Sequence, residues 1–312
     1  MNETQPTDCS SSVNFTAEKI GKTFAYCLIV AVSLTGNSLI GIIIYKKKPM
    51  RRKINYFILN MAMSDILLAI FIPMDFVELF VISDGLLGQA LCKVVSGVKY
   101  LSCVVSIESL VLIAVDRFGA VVFPLRRPFI GSKTCPFLIL ATWIFGVAFL
   151  CPYLSAFQLF KHEEKWACFI QFNETFLGAF PLILFGLSFA LMTILYSVML
   201  LKLKLEKIPG EQSAIAKQQR IKRHSKVLKM IIAIVSGFLL CWGPFTVLTF
   251  LTVFVWDNPT TLSCGVLKYS FVLAKVMAHA NCAINPCICF IFGGNFRDGL
   301  KSFVVCHRTV QH

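Results

Sequence analysis

The sequence predicts an all-α membrane protein, a bundle of seven transmembrane helices followed by a short amphipathic eighth. Three observations predict it. Of 312 residues, 57% are apolar and only 15% charged, with 29 Phe against 16 Asp and Glu together, whereas water-soluble domains carry about 25% charged residues. A soluble globule and a disordered chain are both excluded. Next, long runs of the chain contain no charge at all. Last, the cations that give the net charge of +14 cluster between alternate runs and not along a face.

A helix rises about 1.5 Å per residue and needs roughly 20 residues to cross the hydrocarbon. The first span, Thr23 to Tyr45, has no Asp, Glu, Lys or Arg, and the same holds for the fourth, Thr134 to Phe160, the fifth, Phe176 to Leu201, and the sixth, Met230 to Trp256. The second, about Tyr56 to Ile82, the third, about Val94 to Val122, and the seventh, about Tyr269 to Phe296, are equally long but carry isolated ionisable residues. Pro49, Pro124, Pro209 and Pro259 fall between spans, where a missing backbone N–H does least harm. Residues 1–22 are polar and lack the apolar stretch of a signal peptide, so the first span is expected to serve as its own insertion signal. The bundle then occupies 23–293, and 294–312 form the eighth helix and tail. The stretch Asn295 to Val305 is amphipathic and suits a helix lying on the membrane, with Cys306 as a candidate for palmitoylation.

Of 30 Lys and Arg, 22 lie at the end of the third span or after the first, third, fifth and seventh spans, a bias that assigns those segments to the cytoplasm and the N-terminus to the outside. The sequons at Asn2, Asn14 and Asn173 all fall on the outer side. The basic excess is therefore topology, not nucleic-acid binding. Most of the 13 cysteines lie inside spans, where a thiol behaves as a small apolar group. Cys92 and Cys168 lie in oxidising territory, and a bridge between them is the strongest pairing. Cys9 and Cys264 are a second outer pair or two unrelated thiols.

An ionisable group inside a span costs about 2.5 to 3.5 kcal/mol on insertion scales and asks for a partner or a purpose. Asp65 sits mid-span, with Asn37, Ser106, Asn281 and Asn285 at similar depth in other helices. Such oxygens suit a small hard cation such as Na⁺, and equally a hydrated polar knot joining four helices. In the third helix Lys99 lies about 10 Å below Cys92, and Arg117 about 27 Å deeper. Lys99, with Asp75 and Glu78 of the second helix and Lys275 and His279 of the seventh, would line an outer pocket of mixed charge. The bland alternative is that Lys99 and an acid neutralise each other. The functional one is a ligand bearing its own charges, such as a peptide terminus. Pro244 in mid-span removes a helix hydrogen bond and bends the sixth helix beside Trp242.

Gly36-Asn37, Leu59-Asn-Met-Ala-Met-Ser-Asp65, Cys92 with Cys168, Asp116-Arg117-Phe118, Trp143, Tyr196, Cys241-Trp-Gly-Pro244 and Asn285-Pro286 stand in order, one set per helix. In this register the chain resembles the rhodopsin-like G-protein-coupled receptors along nearly its whole length. The resemblance implies a plasma-membrane receptor that binds an agonist in the outer cavity. It further implies movement of Trp242 and Phe238, an outward swing of the sixth helix about Pro244, and a cytoplasmic cleft floored by Arg117 that admits a heterotrimeric G protein. Asp116, Tyr196 and Pro286 belong to the same switch, membrane lipid contacts the inner cations, and no cofactor is expected apart from the candidate Na⁺ at Asp65.

Departures stand beside these matches. Cys289 replaces the tyrosine that follows Asn285-Pro286 in the family, Ser188 replaces a proline eight residues before Tyr196, Gly85 replaces an outer-loop tryptophan, and His224 stands where some members hold an acid against the third-helix arginine. A leaky resting state is expected. Lys99 disfavours amine ligands, and His279 replaces the Schiff-base lysine of opsins; Val115-Asp-Arg-Phe and Phe123-Pro-Leu-Arg look closest to peptide receptors. A microbial-type retinal protein is the rival that Lys275 keeps open. A transporter would show paired repeats, and an enzyme a hydrolase or metalloprotease motif. Neither is found.

Overall fold

The computed structural model describes residues 15–74, 85–162, 165–170, 175–205, 211–255 and 264–309, and within them seven helices are long and apolar enough to cross a membrane. In chain order these are α1 (Phe15–Lys46), α2 (Lys53–Phe71), α3 (Leu86–Val122), α4 (Cys135–Ala156), α5 (Thr175–Leu205), α6 (Glu211–Phe250) and α7 (Cys264–Phe292). After Gly293 comes α8 (Gly294–Thr309), the amphipathic helix expected at this place.

Several helices outrun the hydrocarbon. α6 starts 19 residues before Met230, in a segment rich in Lys, Arg and Gln that continues a helix readily in water. One expectation is corrected. The fourth helix stops at Ala156 and not at Phe160: β1 (Phe157–His162) pairs antiparallel with β2 (Lys165–Ile170), Phe157 opposite Ile170. Pro152 lies in the last turns of α4, and beyond it the uncharged run exceeds what a bilayer needs, so its last residues are free to form the hairpin instead.

Without a hydrophobic drive between helices in lipid, packing relies on small residues and internal polar bonds. Gly36 of α1 lies so close to α7 that a Cβ there would sit 2.6 Å from the Pro286 Cβ. Gly146 of α4 likewise lets Leu101 of α3 approach. Asn60 of α2 ties three helices: its Nδ2 donates to Ser109 Oγ (2.9 Å) and Thr142 Oγ1 (3.1 Å), and its Oδ1 accepts from Trp143 Nε1 (2.9 Å). The largest apolar core lies in the half of the bundle toward Arg117, around Ile43, Phe57, Leu110, Ile113, Ile234 and Phe238. Leu140, Ile144, Leu187, Ile194, Leu240 and Ile291 point outward and are exposed, as a lipid-facing surface requires.

Candidate functional site

The site is a column of three levels running from the disulfide to Arg117. At its first end Cys92 and Cys168 are bonded, their Cα atoms 5.5 Å apart, which pins β2 to the start of α3. Gln89 Nε2 donates to the Phe157 carbonyl (3.0 Å), and Tyr100 faces the Phe157 ring at 5.7 Å. Below the hairpin is a narrow apolar well of about 40 Å³, lined by Tyr100, Phe149, Tyr153, Phe185, Trp242 and Thr249 among others. Phe149 stacks on Tyr153 (5.4 Å), and Tyr153 on Tyr100 (5.8 Å). Lys99 precedes Tyr100 in α3 and is half-buried.

The other residues expected around Lys99 are placed as follows. Asp75 and Glu78 lie outside the described residues, as do Asn2, Asn14, Asn173 and Cys9. Cys264 begins α7 and Cys306 falls within α8, with only their backbones described. Lys275 is exposed on α7. His279 turns toward α1, buried, with Nδ1 3.2 Å from the Tyr26 hydroxyl. The α1–α7 seam thus has a His–Tyr pair that sequence spacing did not announce, because Tyr26 reads as one more apolar residue of a charge-free span.

The second level is polar. Asp65 is fully buried; its Oδ2 accepts from Asn285 Nδ2 (2.9 Å) and its Oδ1 from Ser106 Oγ (3.5 Å). Ser64 and Ser106 share a hydrogen bond of 2.9 Å, and Asn37 Nδ2 donates to the carbonyls of Ser33 and Cys282, both at 3.0 Å. The amide oxygens of Asn37, Asn281 and Asn285 are buried and have no hydrogen-bond partner among the described residues. The donor set is oxygen-only, with a single carboxylate, and unpaired oxygens remain. That chemistry fits a small hard cation; among the described residues no three His, Cys, Asp or Glu are grouped as a metal site.

Between these levels runs an aromatic chain. Trp242 of α6 lies 5.9 Å from Phe185, 6.2 Å from Phe238 and 6.3 Å from Phe245. Phe238 in turn lies 5.7 Å from Phe189. The chain links the well to the core above Arg117. Pro244 lies six residues, nearly two turns, after Phe238, and three threonines follow it: Thr246, Thr249 and Thr252 donate to the carbonyls of Trp242, Phe245 and Leu248 (2.8–2.9 Å), leading into a π-helical turn at Leu251–Val255. Such local bonds and wide turns bend helices.

At the third level Arg117 Nε donates to Asp116 Oδ2 (3.1 Å), and its Nη2 makes an ion pair with the same oxygen. Arg117 faces an open cleft of about 1220 Å³ whose lining includes Arg51, Arg52, Lys53, His224, Lys226 and Asp298. Tyr196 and Cys289 are both buried in the core near this level, and the Tyr196 hydroxyl has no hydrogen-bond partner among the described residues. Ser188 is half-buried on α5, and the proline of that helix is Pro181, in the wall of the well.

A family model described as 7 transmembrane receptor (rhodopsin family) matches residues 36–288, well over half of the chain. The chain belongs to the rhodopsin family of seven-transmembrane receptors. Members of this family are receptors, not enzymes, and span the membrane many times. Among its relatives are neuropeptide receptor 22 of Caenorhabditis elegans, 28% identical over 89% of this chain and 68% of the relative, and neuropeptide FF receptor 2 of Mus musculus, 28% identical over 92% and 73%. A QRFP-like peptide receptor of Branchiostoma floridae is also 28% identical, over 90% and 76%. Within this rhodopsin-family receptor, Asp116 makes a second contact outside the family signature, to Lys53 at the start of α2. In the sequence Lys53 is one of the cations that follow the first span, with nothing to announce this partner.

Proposed function

We propose that this rhodopsin-family receptor sits in the plasma membrane with its N-terminus outside, binds an extracellular peptide, and activates a heterotrimeric G protein by outward movement of α6. The observation that carries the reading is the continuous aromatic path from the well, through Trp242 and Phe238, to the core above Arg117. A well of about 40 Å³ holds little more than one water. An apolar ligand group therefore enters only by displacing its walls, Trp242 and Thr249 of α6 among them. Such a ligand binds the displaced form more tightly than the resting one, which is the condition for shifting the equilibrium. Lys99, next to Tyr100 of the well wall, would meet an anionic group of the peptide, with Asp75 and Glu78 supplying the opposite sign. Three relatives are themselves named as receptors for peptides or neuropeptides. Na⁺ at Asp65, Ser106, Asn281 and Asn285 would stabilise the resting form from within the bundle, and the inner Lys and Arg would contact the G protein and anionic lipid.

The test is a peptide-library screen on cells reporting cAMP and calcium, followed by variants. Lys99→Ala and Glu78→Ala should each lower the potency of the active peptide by about tenfold, equivalent to about 1.4 kcal/mol. Unchanged potency in both would refute the pocket.

The resting state should also leak. His224 of α6 shares the cleft with Arg117 and offers it no carboxylate. His224→Glu would add one, and a partly exposed pair contributes about 1 kcal/mol. Agonist-independent nucleotide exchange should therefore fall about fivefold. Equal basal exchange in the two proteins would show that position 224 does not set the resting equilibrium.

A further inference from the structure

Lys53 has two partners, and both bear on the switch. It is the first residue of α2, with a side chain only 23% exposed. Its Nζ lies 3.7 Å from Asp116 Oδ1 and also donates to the backbone carbonyl of Ile130. Asp116 is itself almost wholly buried, and its other oxygen, Oδ2, takes Arg117. One buried carboxylate thus serves two cations, one on each oxygen. Ile130 lies between α3 and α4 and is buried in the main core, and Phe129 beside it packs within 3.0 Å of where a Gly119 Cβ would be. A neighbouring bond has the same form: Asn55 Nδ2 donates to the Met50 carbonyl (2.7 Å). Side chains of the first turn of α2 therefore hold the backbones of both connections at this end of the bundle, α1–α2 and α3–α4.

We infer that Lys53 is a positioning residue for the Arg117 switch: it holds Asp116 neutralised from the α2 side and fixes the α3–α4 connection through Ile130. The inference rests on the proposed G-protein reading. Moving Arg117 into the cleft leaves Asp116 behind. A buried carboxylate stripped of its only cation is strongly unfavourable, whereas one that keeps Lys53 is not. Lys53 also competes with Arg117 for the shared carboxylate in the resting form. Both effects act in one direction and make release of Arg117 easier. Lys53 also lines the cleft, so a direct contact with the G protein would act whether or not Asp116 is charged, whereas an influence passed through Asp116 should vanish when Asp116 is neutral.

The experiment uses the full-length receptor in lipid nanodiscs, as wild type, Lys53→Met, Lys53→Arg, Asp116→Asn and the double variant Lys53→Met/Asp116→Asn. Agonist-independent nucleotide exchange on a purified heterotrimeric G protein, the thermal midpoint, and hydrogen exchange of the backbone amides of residues 126–134 are measured together. Lys53→Met should lower basal nucleotide exchange about fivefold, the change that about 1 kcal/mol produces, and should speed amide exchange in 126–134. Lys53→Arg should restore both. In the Asp116→Asn background, Lys53→Met should still speed amide exchange but leave nucleotide exchange where Asp116→Asn set it. A purely structural role would lower nucleotide exchange equally in both backgrounds, and that result would overturn the inference, as would no effect of Lys53→Met on any readout. If the wild type drives no nucleotide exchange, the G-protein reading fails separately. The thermal midpoints then decide: non-additive losses from the Lys53 and Asp116 substitutions support the shared carboxylate, and additive ones reject it.

Discussion

Cys168→Ser is expected to lower the midpoint of thermal unfolding of the purified receptor by about 10 °C. The bridge to Cys92 spans 76 residues of sequence, and opening such a loop destabilises a chain by roughly 3 to 4 kcal/mol. For a protein of this size each kcal/mol shifts the midpoint by about 2–4 °C. The bridge has local work as well. It fixes β2 against α3, while Gln89 and Tyr100 hold β1 at Phe157. With the bridge open, only those noncovalent contacts keep the hairpin over the aromatic well. Cys92→Ser should reproduce the loss, and the double variant should add nothing, because either substitution alone removes the whole bond. The check is size-exclusion thermostability of the three variants. A fall of under 3 °C would mean that the hairpin is held by Gln89 and Tyr100 without covalent help.

Much of this architecture was legible because lipid imposes a one-dimensional constraint: charge-free runs locate the spans, and the cations between them set the topology. Asp65 stood out for the same reason, as an isolated acid in an apolar run, and its oxygen-rich surroundings could be named from depth alone. Boundaries were less legible. The run ending at Phe160 carries no charge to mark where helix gives way to strand, so only pairing with β2 shows that α4 ends at Ala156. Nor does the sequence say which residues on one helix face a neighbouring helix covers. Lys275 and His279 are four residues apart and read as two residues of one pocket, yet Lys275 is exposed while His279 is buried against Tyr26. The aromatic well was hidden for a different reason. Tyr100, Phe149, Tyr153 and Phe185 come from three helices, and in a chain with 29 Phe no single aromatic is informative until neighbouring helices are assembled. Lys53 illustrates the converse, a residue whose type was noticed and whose partner could not be.

Gly36→Ala is expected to destabilise the receptor by about 1–3 kcal/mol, the usual cost of overpacking, and Gly186→Ala to leave its stability unchanged or raise it slightly. On propensity alone the two substitutions are alike, each exchanging glycine for a better helix former by about 1 kcal/mol. Their surroundings give them opposite signs. A Cβ on Gly36 would lie 2.6 Å from Pro286 Cβ and 2.7 Å from its Cγ. The proline ring has no rotamer by which to retreat, so α7 or α1 must shift as a body. Beside this contact Asn37 reaches the Cys282 carbonyl (3.0 Å) and Asn285 reaches Asp65 (2.9 Å), so separating the helices also strains the polar level. At Gly186 nothing lies within 4 Å of the added carbon, and the residue is exposed on α5. The midpoint should therefore fall by roughly 3–10 °C for Gly36→Ala. It should hold or rise for Gly186→Ala. Equal shifts would mean that the α1–α7 seam yields to a methyl group. In that case the close approach of Gly36 to Pro286 would not be what sets the spacing of the helices around Asp65.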